Sequence, residues 1–249
     1  MSAPDLLLVI PAHNESDIIE TSLRRTLDAL HGLSAPYEIL VVDNASTDGT
    51  GARVKSLALP NVSTLSITRK GKGAAIREGG CVAREKGARF FGFIDADLSA
   101  APGMLLELLQ HLAHDQADIT IASRLLDKRR VTRSFVRTLS SELFNLIRGV
   151  ILGINVRDTQ CGMKLLNARA LEILVRCTED TWFLDMELLA RAQVAGLRIH
   201  EVAVEWNEFR FPKRKSKLHI VRDGVGAIAA MVRIRISMLE SRPYGTPRV

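Results

Sequence analysis

Phe90-Phe91-Gly92-Phe93-Ile94-Asp95-Ala96-Asp97 is the stretch on which the reading of this chain turns. Its five-residue apolar run is too short for a helix and reads as a strand buried on both faces. The run, which reads as a strand from Arg89 to Ile94, stops on two carboxylates one residue apart, and a helix follows with Pro102 in its first turn. The same pattern repeats upstream. Leu6–Ile10 ends in Pro-Ala-His-Asn-Glu and leads into a helical period over Asp17–Leu30. Glu38–Val42 ends in Asp43-Asn44-Ala45-Ser46-Thr47-Asp48-Gly49, and Val62–Ile67 precedes a Gly-punctuated helix, Gly73–Lys86. Downstream, Ala117–Ala122 supplies a fifth run. Short buried strands alternating with helices predict an α/β fold built on a mostly parallel sheet with right-handed crossovers. Ligands in such sheets collect beyond the carboxyl ends of the strands, where each of these polar motifs begins.

The remaining composition narrows the class. A chain of 249 residues with 47% hydrophobic and 25% charged residues can bury a sizeable core and is not a disordered segment. The net charge of +6 favours acidic partners, but aromatic residues at 5% offer little stacking surface, so no nucleic-acid role is expected. Cys81, Cys161 and Cys177 lack metal-type spacing and leave an odd count, which suits reduced thiols in a cytoplasmic protein. The start, Met-Ser-Ala-Pro-Asp, has no basic leader region, and no apolar window is long enough to span a bilayer. Peripheral attachment to a membrane face stays open.

The second half is less regular. Val131–Leu152 reads as a basic, apolar-striped helix, Asp158–Leu165 as a return strand, Leu184–Ala195 as a helix and Arg198–Glu205 as a strand. A basic loop, Phe209–Lys217, leads into a long amphipathic helix ending near Glu240, and Ser241–Val249 reads as a frayed tail. We expect one domain over 1–240, with a donor half at about 1–124 and an acceptor half at about 125–240.

Individual motifs allow two readings each. Asp95 and Asp97 at a strand end suit a hard divalent cation completed by water and phosphate oxygens; the plainer reading is a helix-capping turn. Arg69-Lys70-Gly71-Lys72-Gly73 suits a phosphate cradle at a helix N-terminus, or a solvated turn, and lacks the spacing of a Walker loop. Asp43 and Asp48 suit turn and cap positions.

In order, however, the motifs at 9–15, 41–50, 71–75 and 95–97 resemble those of the family 2 glycosyltransferases with a GT-A fold, and among them the polyprenyl (dolichyl) phosphate glucosyl- and mannosyltransferases. The resemblance spans roughly residues 5–235. It extends to Ser123-Arg124, Asp-Thr-Gln-Cys-Gly-Met-Lys (158–164), Phe-Leu-Asp-Met-Glu-Leu (183–188) and Ser216-Lys217-Leu218, with the 158–162 block most like the glucosyl branch. It implies that Pro11, Ala12, Glu15 and Asp43 contact the nucleotide, together with Lys72 and Ala96 in the donor site. It implies that Asp95 and Asp97 hold Mg2+ or Mn2+ against the donor diphosphate. Arg124 and Lys217 would neutralise phosphates, and Gly162 would let backbone approach the acceptor side. Three departures stand out: Ser99 where the mannosyl branch often has Gln, Asp43-Asn44 where many relatives have Asp-Asp, and Lys213-Arg214-Lys215 before the Ser-Lys element in place of Gly.

The implied reaction is a metal-dependent, inverting displacement from a UDP- or GDP-hexose, glucose preferred, onto a polyprenyl phosphate. A hydroxyl acceptor needs a general base, whereas a phosphate monoester is already anionic near neutral pH. Asp185 is the candidate base by position, or else the first-turn or cap residue of its helix, and Asp158 is a second carboxylate on the acceptor side. Arg133 and Arg137 are the candidates for a lipid phosphate, since the arginine fork matches phosphate. Along the last helix, Leu218, Val221, Val225, Ile228, Val232, Ile236 and Leu239 form an apolar stripe that suits either core packing or a lipid interface.

Overall fold

The architecture comes from a computed structural model that describes residues 3–127, 131–132, 148–207 and 220–240. Strands β1 (Leu6–Ala12), β2 (Tyr37–Asn44), β3 (Val62–Ile67) and β4 (Phe90–Ile94) alternate with helices α1 (Ile19–Leu30), α2 (Thr50–Leu57) and α3 (Lys72–Glu85). A 3-10 turn, Pro102–Met104, opens α4 (Leu105–Ala113), and β5 (Ile119–Ser123) follows. Then come β6 (Val131–Thr132), β7 (Met163–Asn167), α5 (Ala168–Leu174), α6 (Leu184–Val194), β8 (Ile199–Ala203), β9 (Trp206–Asn207) and α7 (Ile220–Glu240).

Seven strands form one sheet in the order β3-β2-β1-β4-β7-β5-β8. All neighbours are parallel except β7, which runs antiparallel to both β4 and β5. That exception organises the ligand edge. Because β7 is reversed, it begins where β4 and β5 end, with Met163 opposite Ile94 and Lys164 opposite Ile121. The loop before β7 is thereby set between the tips of its two neighbours.

The central strands β1 and β4 are apolar throughout because helices cover both faces of the sheet there. One core layer joins Leu7, Val9, Phe91 and Phe93 to α3, α5 and α6; the other joins Leu6, Leu8 and Ile10 to α1 and α4.

Three sequence expectations change. Val131 and Thr132 pair with Trp206 and Asn207 in a small parallel ladder, so no helix starts at Val131; residues 148–152 are helical. The strand expected over Asp158–Leu165 is Met163–Asn167 instead, because Asp158 and Gly162 are used in contacts to the tips of β5 and β4. The apolar stripe expected on α7 is not its buried face: the described members Ile228, Val232, Ile236 and Leu239 stand exposed, and the neighbouring Ala227, Ala230, Met231 and Ile234 are buried instead. Among the described residues no helix is long and apolar enough to cross a membrane.

Candidate functional site

Polar loops from β1, β2, β4, β5 and β7 converge on one edge of the sheet. The first two are laced together by their own side chains. Asn14 N donates to Ser46 Oγ, Thr47 N to Asn14 Oδ1, Glu15 N to Thr50 Oγ1 and Ser16 N to Asp48 Oδ2, all at 2.8–3.0 Å. Asp48 also accepts from Thr50 N at 3.0 Å. Burial opposes its charge, but the donors from Thr50 and Ser16 hold its carboxyl far below the ordinary range. The side chain of Asp48 is therefore structural, although the N-cap of α2 is Gly49, one residue later than the sequence suggests. Pro11 and Ala12 are the last two residues of β1, with Ala12 registered against Asp43. Asp43 Oδ1 accepts from Ser46 N at 3.3 Å. Asn14, Ala45 and Leu98, one in each of the loops after β1, β2 and β4, have positive φ without being glycine. Such backbone costs on the order of 1–3 kcal/mol per residue, and its clustering here marks loops whose shape is over-determined by their contacts.

Asn44 carries a job the sequence reading passed over. Its amide donates to Arg69 O and Gly71 O and accepts from Gly71 N, at 2.8, 3.1 and 2.8 Å. An aspartate there has no donor to give, which accounts for Asn at this departure from the family pattern. The Gly71 loop is pinned from its other side by Asp180. A Cβ on Gly71 (φ +129°) would lie 2.0 Å from Asp180 O, so only glycine fits. Asp180 itself receives Arg69 and Arg77, each at 2.5–2.6 Å. Glu187, fully buried, accepts from Thr178 N and Glu179 N at 2.8 Å and completes the anchoring of the 178–182 loop.

Two carboxylates end β4. Asp95 Oδ1 sits 2.6 Å from Lys72 Nζ, at the first residue of α3. Its Oδ2 fills the space beside Gly162, where a Cβ would lie 1.8 Å away, and its N donates to Gly162 O at 3.0 Å. Gly162, assigned from sequence to the acceptor side, thus seats Asp95. Asp97 Oδ1 accepts from Ser99 N at 3.0 Å in a local turn, while Ala101 rather than Asp97 stands at the N-cap of the following helical turn, and Asp97 Oδ2 lies outside that contact. Ala96 is buried, and its carbonyl accepts from Ser22 Oγ. Burial opposes the charge on Lys72, but Asp95, Asp185 and Asp97 together raise its pKa above the ordinary lysine value. The Trp182 ring lies 5.5 Å from its Nζ, and Trp182 is half exposed at the site's rim.

The donor set at Asp95 and Asp97 is hard oxygen at a strand tip, and Lys72 shows that Asp95 Oδ1 already accommodates a cation. These residues fit a small divalent metal whose remaining positions come from a ligand's phosphates. Among the described residues no group of three or more His, Cys, Asp or Glu forms a metal cage.

Beyond β7, the other sequence candidates pair off. Arg124 grips Asp158 as a fork, Nε to Oδ2 at 2.7 Å and Nη2 to Oδ1 at 2.8 Å, with its N adding a third bond at 2.8 Å. Burial opposes the charge on both partners, yet the pairing raises the arginine and lowers the aspartate relative to their usual values. Asp185 is in the first turn of α6 and makes no side-chain cap bond. Its Oδ1 lies 2.6 Å from Nζ of Lys164, a residue of β7 that is fully buried and also donates to Cys161 O at 2.7 Å. Sequence reasoning assigned Lys164 no role. Glu15 is buried beside α1. Lys217, Arg133, Arg137 and the 209–217 loop lie outside the described residues.

The sequence model of Glycosyl transferase family 2 matches residues 7–174, which covers every strand tip just described up to β7. The chain belongs to this family. Among relatives of this family 2 glycosyltransferase, glycosyltransferase AglD of Haloferax volcanii is 31% identical, aligned over 98% of this chain and 39% of its own length. The chain therefore spans about two fifths of that relative. Dolichyl-phosphate beta-glucosyltransferase of Drosophila melanogaster is 32% identical over 82% of this chain and 67% of its own. Among solved structures, glucosyl-3-phosphoglycerate synthase of Mycobacterium tuberculosis, bound to Mn2+, UDP and glucosyl-3-phosphoglycerate, superposes with a TM-score of 0.68. It does so at 19% identity, over 97% of this chain and 82% of that one. The family 2 transferase thus has the GT-A architecture.

Proposed function

We propose that this chain transfers a hexose, glucose first, from a nucleoside diphosphate sugar to a polyprenyl phosphate, inverting the anomeric centre. The observation that carries the acceptor choice is the state of the two candidate bases. Asp185 is 2% exposed and lies against Lys164, and Asp158 is forked by Arg124. A carboxylate held by a cation is a poor proton acceptor. An acceptor hydroxyl would need such a base, whereas a phosphate monoester arrives with its own negative oxygen.

The residues divide the work as follows. The β1 and β2 loops, with Pro11, Ala12, Glu15 and Asp43, bind the nucleoside; Asp43 and Glu15 supply the polar contacts. Asp95 and Asp97 would hold Mn2+ or Mg2+, which when bound neutralises charge on the leaving diphosphate. Lys72, at the N-terminus of α3, donates to phosphate with the helix dipole behind it. Arg124, with Nη1 not engaged by Asp158, and Lys217 add positive charge where the leaving group develops negative charge. Arg133 and Arg137 receive the acceptor phosphate. The exposed Ile228, Val232, Ile236 and Leu239, with Arg235 beside them, suit a shallow lipid contact that brings the acceptor to the site. The names of the curated relatives, several of them dolichyl-phosphate glucosyltransferases, support the acceptor class and the preference for glucose.

The test is a transfer assay with radiolabelled UDP-glucose, UDP-galactose and GDP-mannose, Mn2+ or Mg2+, and either polyprenyl phosphate or the free polyprenol. Labelled glycolipid is expected from the phosphate only, and Asp95→Asn should abolish it. Equal transfer to the free alcohol overturns the acceptor assignment.

A further inference from the structure

We propose that Lys72 is an internal counter-cation that occupies Asp95 and makes divalent-metal binding to this chain depend on a nucleoside diphosphate. The inference rests on the transferase reading above and adds an order to it.

Asp95 has little freedom. Its N is tied to Gly162 O at 3.0 Å and its Oδ2 is packed where a Gly162 Cβ would be, leaving Oδ1 as the oxygen facing the site. That oxygen is the one Lys72 Nζ holds at 2.6 Å. A divalent ion at about 2.1 Å from the same oxygen would lie within a few ångströms of the ammonium, and like charges at that separation repel strongly. Metal alone must therefore evict Lys72, whose side chain is only 12% exposed and lies beside the Trp182 ring. An ammonium evicted without a new anion loses its 2.6 Å partner in a buried setting and keeps only the more distant Asp97 and Asp185, which is unfavourable. A nucleoside diphosphate changes that balance. Its phosphates arrive at the N-terminus of α3, where the flexible four-carbon stem of Lys72 can swing to meet them. Lys72 then exchanges one anion for another, and Asp95 is released to the metal. Each ligand thereby raises the affinity of the other by the same factor.

The experiment measures Mn2+ binding, by loss of the free-ion EPR signal, to the full chain with and without UDP or GDP, corrected for the Mn2+–nucleotide complex in solution. Wild type should bind Mn2+ alone weakly and at least about tenfold more tightly with the matching nucleotide, within the usual range of such couplings. Lys72→Met should bind Mn2+ alone about tenfold more tightly than wild type, with the coupling falling below about threefold. Lys72→Arg, which keeps the cation, should bind Mn2+ alone as weakly as wild type. Thermal melts check folding, and Lys72→Gln, of similar reach without charge, gives the same reading if the methionine variant is unstable. Unchanged or weaker Mn2+ binding in the neutral variants overturns the inference. Asp95→Asn separates the two levels: if it retains full Mn2+ binding with nucleotide, the metal site itself is misassigned. If it loses that binding while the neutral Lys72 variants match wild type, only the exchange fails.

Discussion

Gly162→Ala puts the geometry of the site to its most direct test. A Cβ at 162 would lie 1.8 Å from Asp95 Oδ2 and 2.3 Å from its Cγ. To reach even 3.0 Å, below which Cβ contacts essentially do not occur, the carboxylate must retreat by about 1.2 Å. The backbone has little room to yield, because Asp95 N donates to Gly162 O and Ile94 pairs with Met163 in the β4–β7 ladder. The movement therefore falls on the Asp95 side chain and breaks its 2.6 Å contact with Lys72. Overpacking of this kind costs about 1–3 kcal/mol of stability. A displacement of about 1 Å in a group that positions reactants costs on the order of 10²-fold in rate, or about 2.7 kcal/mol of barrier. We expect kcat/KM for labelled glycolipid formation to fall about a hundredfold and the Mn2+ requirement to rise, in a variant that still melts cooperatively. Gly103→Ala is the control, since a Cβ there meets nothing within 4 Å. If Gly162→Ala keeps kcat/KM and metal requirement within about threefold of wild type, the contact with Asp95 does not shape the site.

Other outcomes follow from the buried pairs. Asp158 has its pKa depressed in the fold, so its contribution to stability is present above its unfolded value and is lost as pH falls through the lower folded value. Asp158→Asn should cost about 3 kcal/mol at pH 7 by urea unfolding, and the gap to wild type should close below about pH 4; a gap that stays constant to pH 3 refutes it. Asp185→Asn leaves the Lys164 ammonium buried without its counter-charge and should cost about 3–5 kcal/mol, while Lys164→Met with Asp185→Leu should recover most of that. A double variant as unstable as the sum of the singles would show that the two do not act as a pair. Burial pushes the Cys161 thiol up to about 12 and Cys177 well above its ordinary value, so both should resist a disulfide reagent at pH 8 until the chain unfolds. Native protein should thus titrate through the half-buried Cys81 alone, against all 3 thiols in denaturant.

The sequence alone determined the first half of the fold and the sheet edge on which its polar motifs collect. Apolar runs such as Leu6–Ile10 and Phe90–Ile94 are intelligible locally, because strands buried on both faces leave no polar residue between turn signals. Polar motifs that follow such runs are confined to the carboxyl edge, so Asp95, Asp97, Asp43 and Lys72 were legible as a group before any coordinate. What lay beyond local pattern was partnership. The sequence reads as a return strand over Asp158–Leu165, and only the sheet order places that strand at Met163–Asn167 between β4 and β5 and sets its preceding loop between Asp95 and Arg124. Nothing local to Lys164 announces that it is fully buried; α6 brings Asp185 to it from 21 positions away. Helical periodicity picked out the stripe through Ile228, Val232, Ile236 and Leu239 on α7, whereas contact with the core through Met231 and Ile234 buries the neighbouring face. Periodicity records that a side chain leaves water, whereas charge pairing and strand direction are settled by which distant element it meets. Tertiary structure alone supplies that element.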